Sequence, residues 1–284
     1  NAKALIYSGL FFKGEFAEKW LNKGKHLLTA ELAEQILEDG GHFELSPMYH
    51  SLILEDLIDL YNLYDAYGIE DKDIIENKIV EMTTWLEKMI HPDGEISFFN
   101  DATLGFAPTF KQLSEYAINS QIDLKGSKNN RLNTMAESGY SRVKMNDYVA
   151  IIDHGNTGPS YLGGHSHADT LSFELSLFDK RVIVNSGVSI YAGMLPPSQA
   201  HPLRAFQRGT LSHSTVNIDG KNSSEVWGAF RLARRASITE FKVSEHQDQI
   251  SLLAAHDGYG NVIVGKKTYN IMNCEKLNGF NYFH

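Results

Sequence analysis

The sequence predicts an α+β chain in two parts, a helical part followed by an antiparallel β-sandwich, and three observations support this prediction. From residue 2 to about 120 the apolar residues recur at helical spacing. A polar stretch, LKGSKNNRLN at 124–133, marks the expected boundary. After it, short segments with alternating apolar residues follow one another, with turn signals and no helical pattern between them.

The helical part contains two apolar stripes. The first consists of Ile53, Leu57, Leu60, Tyr61 and Tyr64, and the second consists of Ile75, Ile79, Met82, Leu86 and Met89. Two loops rich in Gly, Pro and Asp adjoin them, EDGGHFELSPMYH at 38–50 and HPDGEISFFNDA at 91–102. Both loops carry histidine and aromatic residues, so we expect them to present a site on the helical scaffold.

The second part contains six predicted strand segments with period-two alternation or short apolar runs. They are SRVKMNDYVAIIDHG, TLSFELSLFDKRVIVNSG, HSTVNIDG, ASITEFKVSE, QISLLAAHDGYG and NVIVGKKTYNIM. Because the chain stops soon after the last of them, we expect the sheet to be incomplete.

Composition excludes several functions. The 284 residues are 42% apolar, which is enough for a substantial core. The net charge of −9 argues against broad binding to nucleic acid or to an anionic membrane, and no run of about 18 apolar residues predicts a membrane span. The single cysteine, Cys274, excludes an intrachain disulfide. Because the chain begins at Asn1 with no signal-peptide pattern, we expect a fragment or processed product whose export signal cannot be observed.

The stretch YLGGHSHADTLSFELSLF at 161–178 is the strongest motif. If a strand already runs through residue 165, then His165, His167 and Asp169 continue its buried face, which also contains four apolar residues: Leu171, Phe173, Leu175 and Leu177. Buried imidazole and carboxylate groups need partners, which a metal ion or a bound substrate would supply. Backbone hydrogen bonds are the alternative. A cupin-type metal site is set aside, because the next acid, Glu174, lies too far along and on the opposite face.

Further polar candidates follow downstream. Asn185 lies in VIVNSG, Arg208 in FQRGT and His213 in LSHSTVNIDG. A histidine from a different strand would make a site of two histidines and an oxygen ligand geometrically plausible. Five arginines also concentrate positive charge in this part, and guanidinium groups suit carboxylate or sulfate: Arg204, Arg208, Arg231, Arg234 and Arg235.

A resemblance that covers nearly the whole chain rests on three ordered stretches: DGGHFELSPMYHSLILEDLIDLY, GGHSHADTLSFELSLFDKRVIVNSG and QRGTLSHSTVNIDGKNSSEVWGAFRLARRA. They resemble the heparinase II/III-like polysaccharide lyases. The resemblance implies an incomplete (α/α) toroid over 1–125, a β-sandwich over 134–284 and a catalytic cleft between them. It also implies a bacterial periplasmic or cell-envelope protein.

Lyases of this kind cleave a uronic-acid polysaccharide by β-elimination. The C5 proton becomes acidic when the adjacent carboxylate is neutralised, a base then removes it, and an acid protonates the departing oxygen. The resemblance places a tyrosine and a histidine for these tasks at Tyr49 and His165. With an ordinary pKa of about 10, the tyrosine would need a lowered pKa or a concerted proton loss. Alternatively, Tyr49 only belongs to the first turn of a helix that begins near Ser46, and His50 is a lower-ranked neighbour.

The resemblance also implies substrate contacts and a structural zinc ion. The expected substrate contacts are His42 and Glu44 in the first loop and Arg208 in the matched QRGT segment. The implied zinc ligands are His167, Asn185 and His213. Better-known members carry aspartate where this chain has Asn185, and an amide oxygen binds zinc more weakly, so Asp169 would substitute if the backbone turned it inward. The carboxylate-neutralising residue is expected upstream of Asn1.

The expected substrate is an acidic polysaccharide, of the glycosaminoglycan or alginate type. Two alternatives remain open from the sequence. One is a non-catalytic glycan-binding or scaffold protein with the same fold, and the other is a uronyl C5-epimerase that uses the same proton abstraction without cleavage. Tyr49 together with His165 favours chemistry over binding alone.

Overall fold

The structure is a computed structural model that describes residues 1–124, 126, 130–145, 147–161, 163–191, 201–247 and 249–260, with the backbone of 263–264 and 267–268. Its helical part contains α1 (Ala2–Phe11), α2 (Glu15–Gln35), α3 (Pro47–Ala66), α4 (Asp73–Lys88) and α5 (Phe110–Asn119). Both predicted stripes lie in the core, Ile53 being only partly buried. None of the helices in these ranges has the length and apolar character needed to cross a membrane.

The helix starts follow local capping rules. At the start of α3 the Ser46 side chain accepts a hydrogen bond from the Tyr49 backbone N–H at 3.2 Å, and Pro47 occupies the first helical position. At the start of α5, Thr109 and Gln112 form a capping box. The predicted helix start near Ser46 is therefore confirmed.

The second part is built from antiparallel strands. A five-stranded sheet follows chain order, with β1 (Leu132–Met135), β2 (Tyr140–Met145), β3 (Tyr148–Asp153), β4 (Phe173–Leu177) and β5 (Lys180–Ile183). Three hairpins follow: β6 (Val226–Trp227) with β7 (Arg231–Leu232), β8 (Ile238–Glu245) with β9 (Ile250–His256), and β10 (Ile263–Val264) with β11 (Lys267–Thr268). A short helix, α6 (Pro202–Arg208), lies between β5 and β6. Helices followed by antiparallel sheets confirm the predicted α+β class.

Two predictions about strands are wrong. The strand expected to pass through the histidine motif begins only at Phe173, so His165, His167 and Asp169 lie in the loop that precedes β4. Leu171 in this loop has φ 61°, a left-handed conformation that an extended strand cannot contain, so β4 does not continue back into the motif. HSTVNIDG at 213–220 is not a strand either, since it contributes only an isolated bridge between residues 218 and 221. The predicted NVIVGKKTYNIM strand lies largely outside the described residues.

The face of β4 is also opposite to the predicted one. Glu174 and Ser176 are buried, whereas Leu177 is 40% exposed. The reason is His91 from the helical part, whose Nε2 lies 2.8 Å from Glu174 Oε2 and whose Nδ1 lies 2.7 Å from Ser176 Oγ. Glu174 Oε1 also accepts the backbone N–H groups of Phe98 and Asn185, at 2.9 and 3.0 Å. A polar network thus joins β4 to the loop after α4.

The two parts share one core. The apolar cluster of the helices continues into the sheet through Met135, Tyr140, Val149 and Ile151. Trp85 of α4 donates its indole N–H to Ser138 Oγ at 2.8 Å, across the junction. Because this packing fixes the loops before α3 and after α4 against the sheet, side chains from both parts can form a single site.

Candidate active site

Tyr49 lies in the first turn of α3 and points toward the strand-rich part. Its hydroxyl lies 2.7 Å from the hydroxyl of Tyr191. Burial raises the pKa of Tyr49, and the negative charges of Asp101 and Glu44 raise it further, while the Tyr191 hydrogen bond lowers it. Tyr49 is therefore neutral at pH 7, and the lowered pKa that a free phenolate base would need is absent. Tyr49 thus belongs to the first turn of α3, as the helix-start interpretation predicts, and its ring also contacts His165.

His165 packs against Tyr49. Their ring centroids are 4.1 Å apart with the rings inclined by 39°, and the His165 side chain is 24% exposed. The Nδ1 atom of His165 lies 2.8 Å from Asp101 Oδ2. An ionised carboxylate only accepts hydrogen bonds, so Nδ1 carries a proton, and in the neutral form of the ring the lone pair lies on Nε2. The structure therefore brings the two predicted catalytic residues into contact.

Asp101 is the centre of the site and was not singled out from the sequence. It is fully buried and receives hydrogen bonds from His165 Nδ1, from His167 Nε2 at 2.8 Å, and from both terminal nitrogens of Arg204. These partners hold the pKa of Asp101 well below its usual range, although burial acts in the opposite direction. The site thus contains a carboxylate that is ionised at neutral pH.

Two aromatic side chains that the sequence did not indicate border this centre. Tyr191 and Phe230 stack with centroids 5.7 Å apart and an angle of 21°. The Arg204 guanidinium lies 5.1 Å from the Tyr191 ring centroid and 5.6 Å from that of Phe230. Phe230 is 41% exposed and its centroid lies 6.2 Å from that of His165. A partly exposed aromatic face therefore adjoins the pair formed by Tyr49 and His165.

The predicted zinc ligands are brought close together. The rings of His167 and His213 have centroids 5.2 Å apart, and Asn185 Oδ1 lies 3.3 Å from His213 Nδ1. Within the described part of the chain, three buried atoms here have no hydrogen-bond partner: His167 Nδ1, His213 Nε2 and Asp169 Oδ2. In the residues that the structure describes, no group of three or more His, Cys, Asp or Glu side chains is placed to hold a metal ion. Two unpartnered imidazole nitrogens fit a zinc ion, whereas Asn185 Oδ1 already accepts hydrogen bonds from His213 and Ser214.

The predicted substrate contacts occupy different environments. Glu44 is half-buried beside the site, and burial raises its pKa. His42 is buried, and burial together with the charge of His165 lowers its pKa to about 4. Arg208 is 1% exposed, and its guanidinium donates to the carbonyls of Ser166, Gly163 and Arg231 at 2.9 to 3.3 Å. Of the three residues, only Glu44 has a partly exposed side chain. The Arg208 side chain instead binds backbone carbonyls of the loop that carries His165 and His167.

His50, the lower-ranked neighbour of Tyr49, faces the helical core. Its ring stacks on Trp85 with centroids 4.5 Å apart, and its Nε2 lies 2.9 Å from the Met82 carbonyl oxygen. The ring is fully buried. Its surroundings are those of a packing residue.

Two family models match consecutive parts of the chain. The heparinase II/III N-terminus matches residues 1–119, and the model described as heparinase II/III-like, C-terminal, matches residues 127–279. Heparin-sulfate lyases from Bacteroides stercoris and Bacteroides thetaiotaomicron are 26% and 27% identical, each over 87% of this chain. This chain covers only 39% and 40% of their lengths.

Solved structures show the same fold. Heparan sulfate lyase HepC from Pedobacter heparinus matches with a TM-score of 0.66 at 19% identity, over 92% of this chain and 41% of that one. A structure of heparinase III matches with a TM-score of 0.69 at 21% identity, over 90% of this chain and 44% of that one. Since the C-terminal family model alone matches more than half of the residues, the chain belongs to the heparinase II/III-like family.

Proposed function

We propose that this chain carries the catalytic centre of a polysaccharide lyase that cleaves a glycosaminoglycan of the heparan sulfate type by β-elimination. The observation that supports this proposal most directly is the contact between Tyr49 and His165 beside the charged Asp101. The names of the heparin-sulfate lyase relatives support the substrate class. In this proposal the helices form part of an incomplete (α/α) toroid, and the cleft lies between it and the sandwich.

The geometry supports one division of labour between the two residues. His165 carries its lone pair on Nε2, because Nδ1–H donates to Asp101, and is suited to remove the C5 proton of the uronic acid. Tyr49, whose pKa is raised, keeps its proton and is suited to donate it to the glycosidic oxygen. The electrons of the C5–H bond form the C4–C5 double bond while the bond from C4 to that oxygen breaks. Each proton thus has a defined donor and acceptor.

We also propose a structural zinc ion in the sandwich part. His167 and His213 would hold it through their unpartnered buried nitrogens, with Asn185 as the third predicted ligand and Asp169 as the other oxygen donor. A bound zinc ion would crosslink the histidine loop to the segment after α6 and stabilise the folded chain. Its role is separate from proton transfer, which belongs to His165 and Tyr49. A periplasmic or cell-envelope location in a bacterium completes the proposal.

The test is an elimination assay on the natural full-length chain that contains residues 1–284. The enzyme is incubated with heparan sulfate, heparin, chondroitin sulfate and alginate, and the absorbance of the new C4–C5 double bond near 232 nm is followed. Unsaturated product from heparan sulfate is the expected result. Binding without product would instead indicate a glycan-binding protein, and solvent deuterium at C5 without cleavage would indicate an epimerase.

A further inference from the structure

We propose that Asp101 is the positioning residue of this site. It fixes the first turn of α3, which carries Tyr49, relative to the His165 ring, and it selects the His165 tautomer. The catalytic part of this proposal rests on the proposed function. Asp101 comes from the loop after α4, whereas His165 comes from the loop before β4. One residue of the helical part therefore organises the reactive side chain of the strand-rich part.

The first argument is the number of donors that converge on the Asp101 carboxylate. Oδ2 accepts from His165 Nδ1 and Arg204 Nη2, each at 2.8 Å. Oδ1 accepts from His167 Nε2 at 2.8 Å and from Arg204 Nη1. Each oxygen thus receives two hydrogen bonds, and the planar guanidinium fixes the plane of the carboxylate. A carboxylate fixed in this way dictates where both imidazole rings point.

The second argument is the backbone of Asp101, which links both catalytic residues. Its N–H donates to the His165 carbonyl at 3.1 Å, and its carbonyl accepts the Ser46 hydroxyl at 2.6 Å. The same Ser46 oxygen accepts the Tyr49 backbone N–H at 3.2 Å. A continuous chain of hydrogen bonds therefore runs from the first turn of α3 through Asp101 to His165. The relative placement of Tyr49 and His165 depends on it.

The third argument concerns Arg204. Its guanidinium is fully buried, and its Nε donates to the Ala229 carbonyl at 3.1 Å. With both terminal nitrogens on Asp101, the charge of Arg204 is used inside the protein. Arg204 was one of five arginines whose charge suits an anionic glycan, but its contacts assign it to the support of Asp101 and the Tyr191 and Phe230 rings.

This arrangement makes a specific prediction for Asp101→Asn. An amide has one accepting oxygen and one donating nitrogen, so it cannot accept protons from both His165 Nδ1 and His167 Nε2. If the amide nitrogen faces His165, the ring must place its proton on Nε2, where it blocks proton abstraction. Loss of the correct tautomer in a comparable histidine and carboxylate pair lowers kcat by about 10⁴-fold. We expect kcat to fall at least about 100-fold, with KM changed by less than about threefold.

The experiment combines kinetics with nitrogen NMR on the natural full-length chain labelled with ¹⁵N-histidine. The His165 signal is identified by its absence in His165→Gln. The matched control is Asp39→Asn, because Asp39 also joins the two parts, accepting the N–H and hydroxyl of Ser138 at 2.7 and 2.9 Å, but does not contact the site. We expect the Nδ1–H tautomer in the parent and in Asp39→Asn, and the Nε2–H tautomer with low kcat in Asp101→Asn.

Two results would overturn the proposal: an Nε2–H tautomer of His165 in the parent, or an unchanged tautomer and kcat in Asp101→Asn. The parent spectrum needs no variant, so the proposal can be overturned even if Asp101→Asn does not fold. If the parent shows the Nδ1–H tautomer and Asp101→Asn changes it, yet no chain cleaves heparan sulfate, the positioning role stands and the proposed function fails. The two claims are therefore tested separately.

Discussion

Tyr49 and His165 lie with their ring centroids 4.1 Å apart, although one belongs to the first turn of a helix and the other to a loop in the strand-rich part. This contact exists because the two parts share one core and because Asp101 is hydrogen-bonded to both segments. Residues from the helical part and from the strand-rich part therefore both contribute to the candidate site.

His50 should make the free energy of unfolding depend on pH. Burial, with a smaller contribution from the charge of His42, lowers its pKa to about 3. Between the ordinary value of about 6.5 and this folded value, only the unfolded chain binds the proton, so stability is lost as the pH falls below about 6.5. We expect His50→Gln to reduce the loss in unfolding free energy between pH 7 and pH 5 by about 2 kcal/mol.

The measurement for His50 is urea unfolding of parent and variant at both pH values. The control is His26→Gln, because His26 is exposed on α2 and its loss should leave the pH dependence unchanged. Equal pH dependence in the parent and in His50→Gln would contradict the account of a buried neutral histidine.

Zinc content should depend on His167 more than on His165. We expect about one zinc ion per chain in the parent, retention in His165→Ala and loss in His167→Ala, because His167, unlike His165, has a buried nitrogen without a hydrogen-bond partner. Elemental analysis of the purified proteins provides the measurement. A chelator should also lower the Tm of the parent, since metal bound to the folded state alone stabilises that state. A zinc-free parent, or unchanged zinc in His167→Ala, would remove the metal site from the account.

Glu174 should be important for stability because it joins the two parts. Glu174→Gln removes the charge that lies 2.8 Å from His91 Nε2 and disturbs the acceptor of two backbone N–H groups. We expect the free energy of unfolding to fall by about 3 kcal/mol. Denaturant unfolding provides the value. The matched control is Glu15→Gln, whose exposed pair with Lys19 on α2 should contribute little. Similar small losses in both variants would show that the buried network is not important.

Sequence periodicity predicted the buried faces of the helices correctly but did not predict the buried face of β4. The helical stripes are regular because each packs on a continuous apolar core. In β4 the alternation rule assigned Phe173 and Leu177 to the buried face and Glu174 to the outer face. The opposite holds, because His91 reaches the sheet from the helical part and supplies the partner that a buried carboxylate requires. A period-two pattern contains no information about such a distant polar partner.

The sequence indicated Tyr49 and His165 as separate residues of the candidate site, but it did not indicate Asp101, which lies at the centre of the site. Tyr49 and His165 lie in recognisable motifs, and the structure brings them together. Asp101 lies in a loop whose composition indicated only a turn and a possible site. Its role depends on three partners from distant segments: His165, His167 and Arg204. Only the fold shows that these groups converge.

The most direct test of the central claim is the rate of C4–C5 double-bond formation from heparan sulfate by the natural full-length chain and its Tyr49→Phe variant. The substitution removes one hydroxyl, which lies 2.7 Å from Tyr191, and should change stability by about 1 kcal/mol or less. Tyr61→Phe is the control, because Tyr61 lies on the same helix but its hydroxyl contacts Glu76 and not the site. We expect Tyr49→Phe to lower kcat by about 100-fold or more and Tyr61→Phe to retain the parental rate. A folded Tyr49→Phe enzyme that forms product at the parental rate would contradict the account.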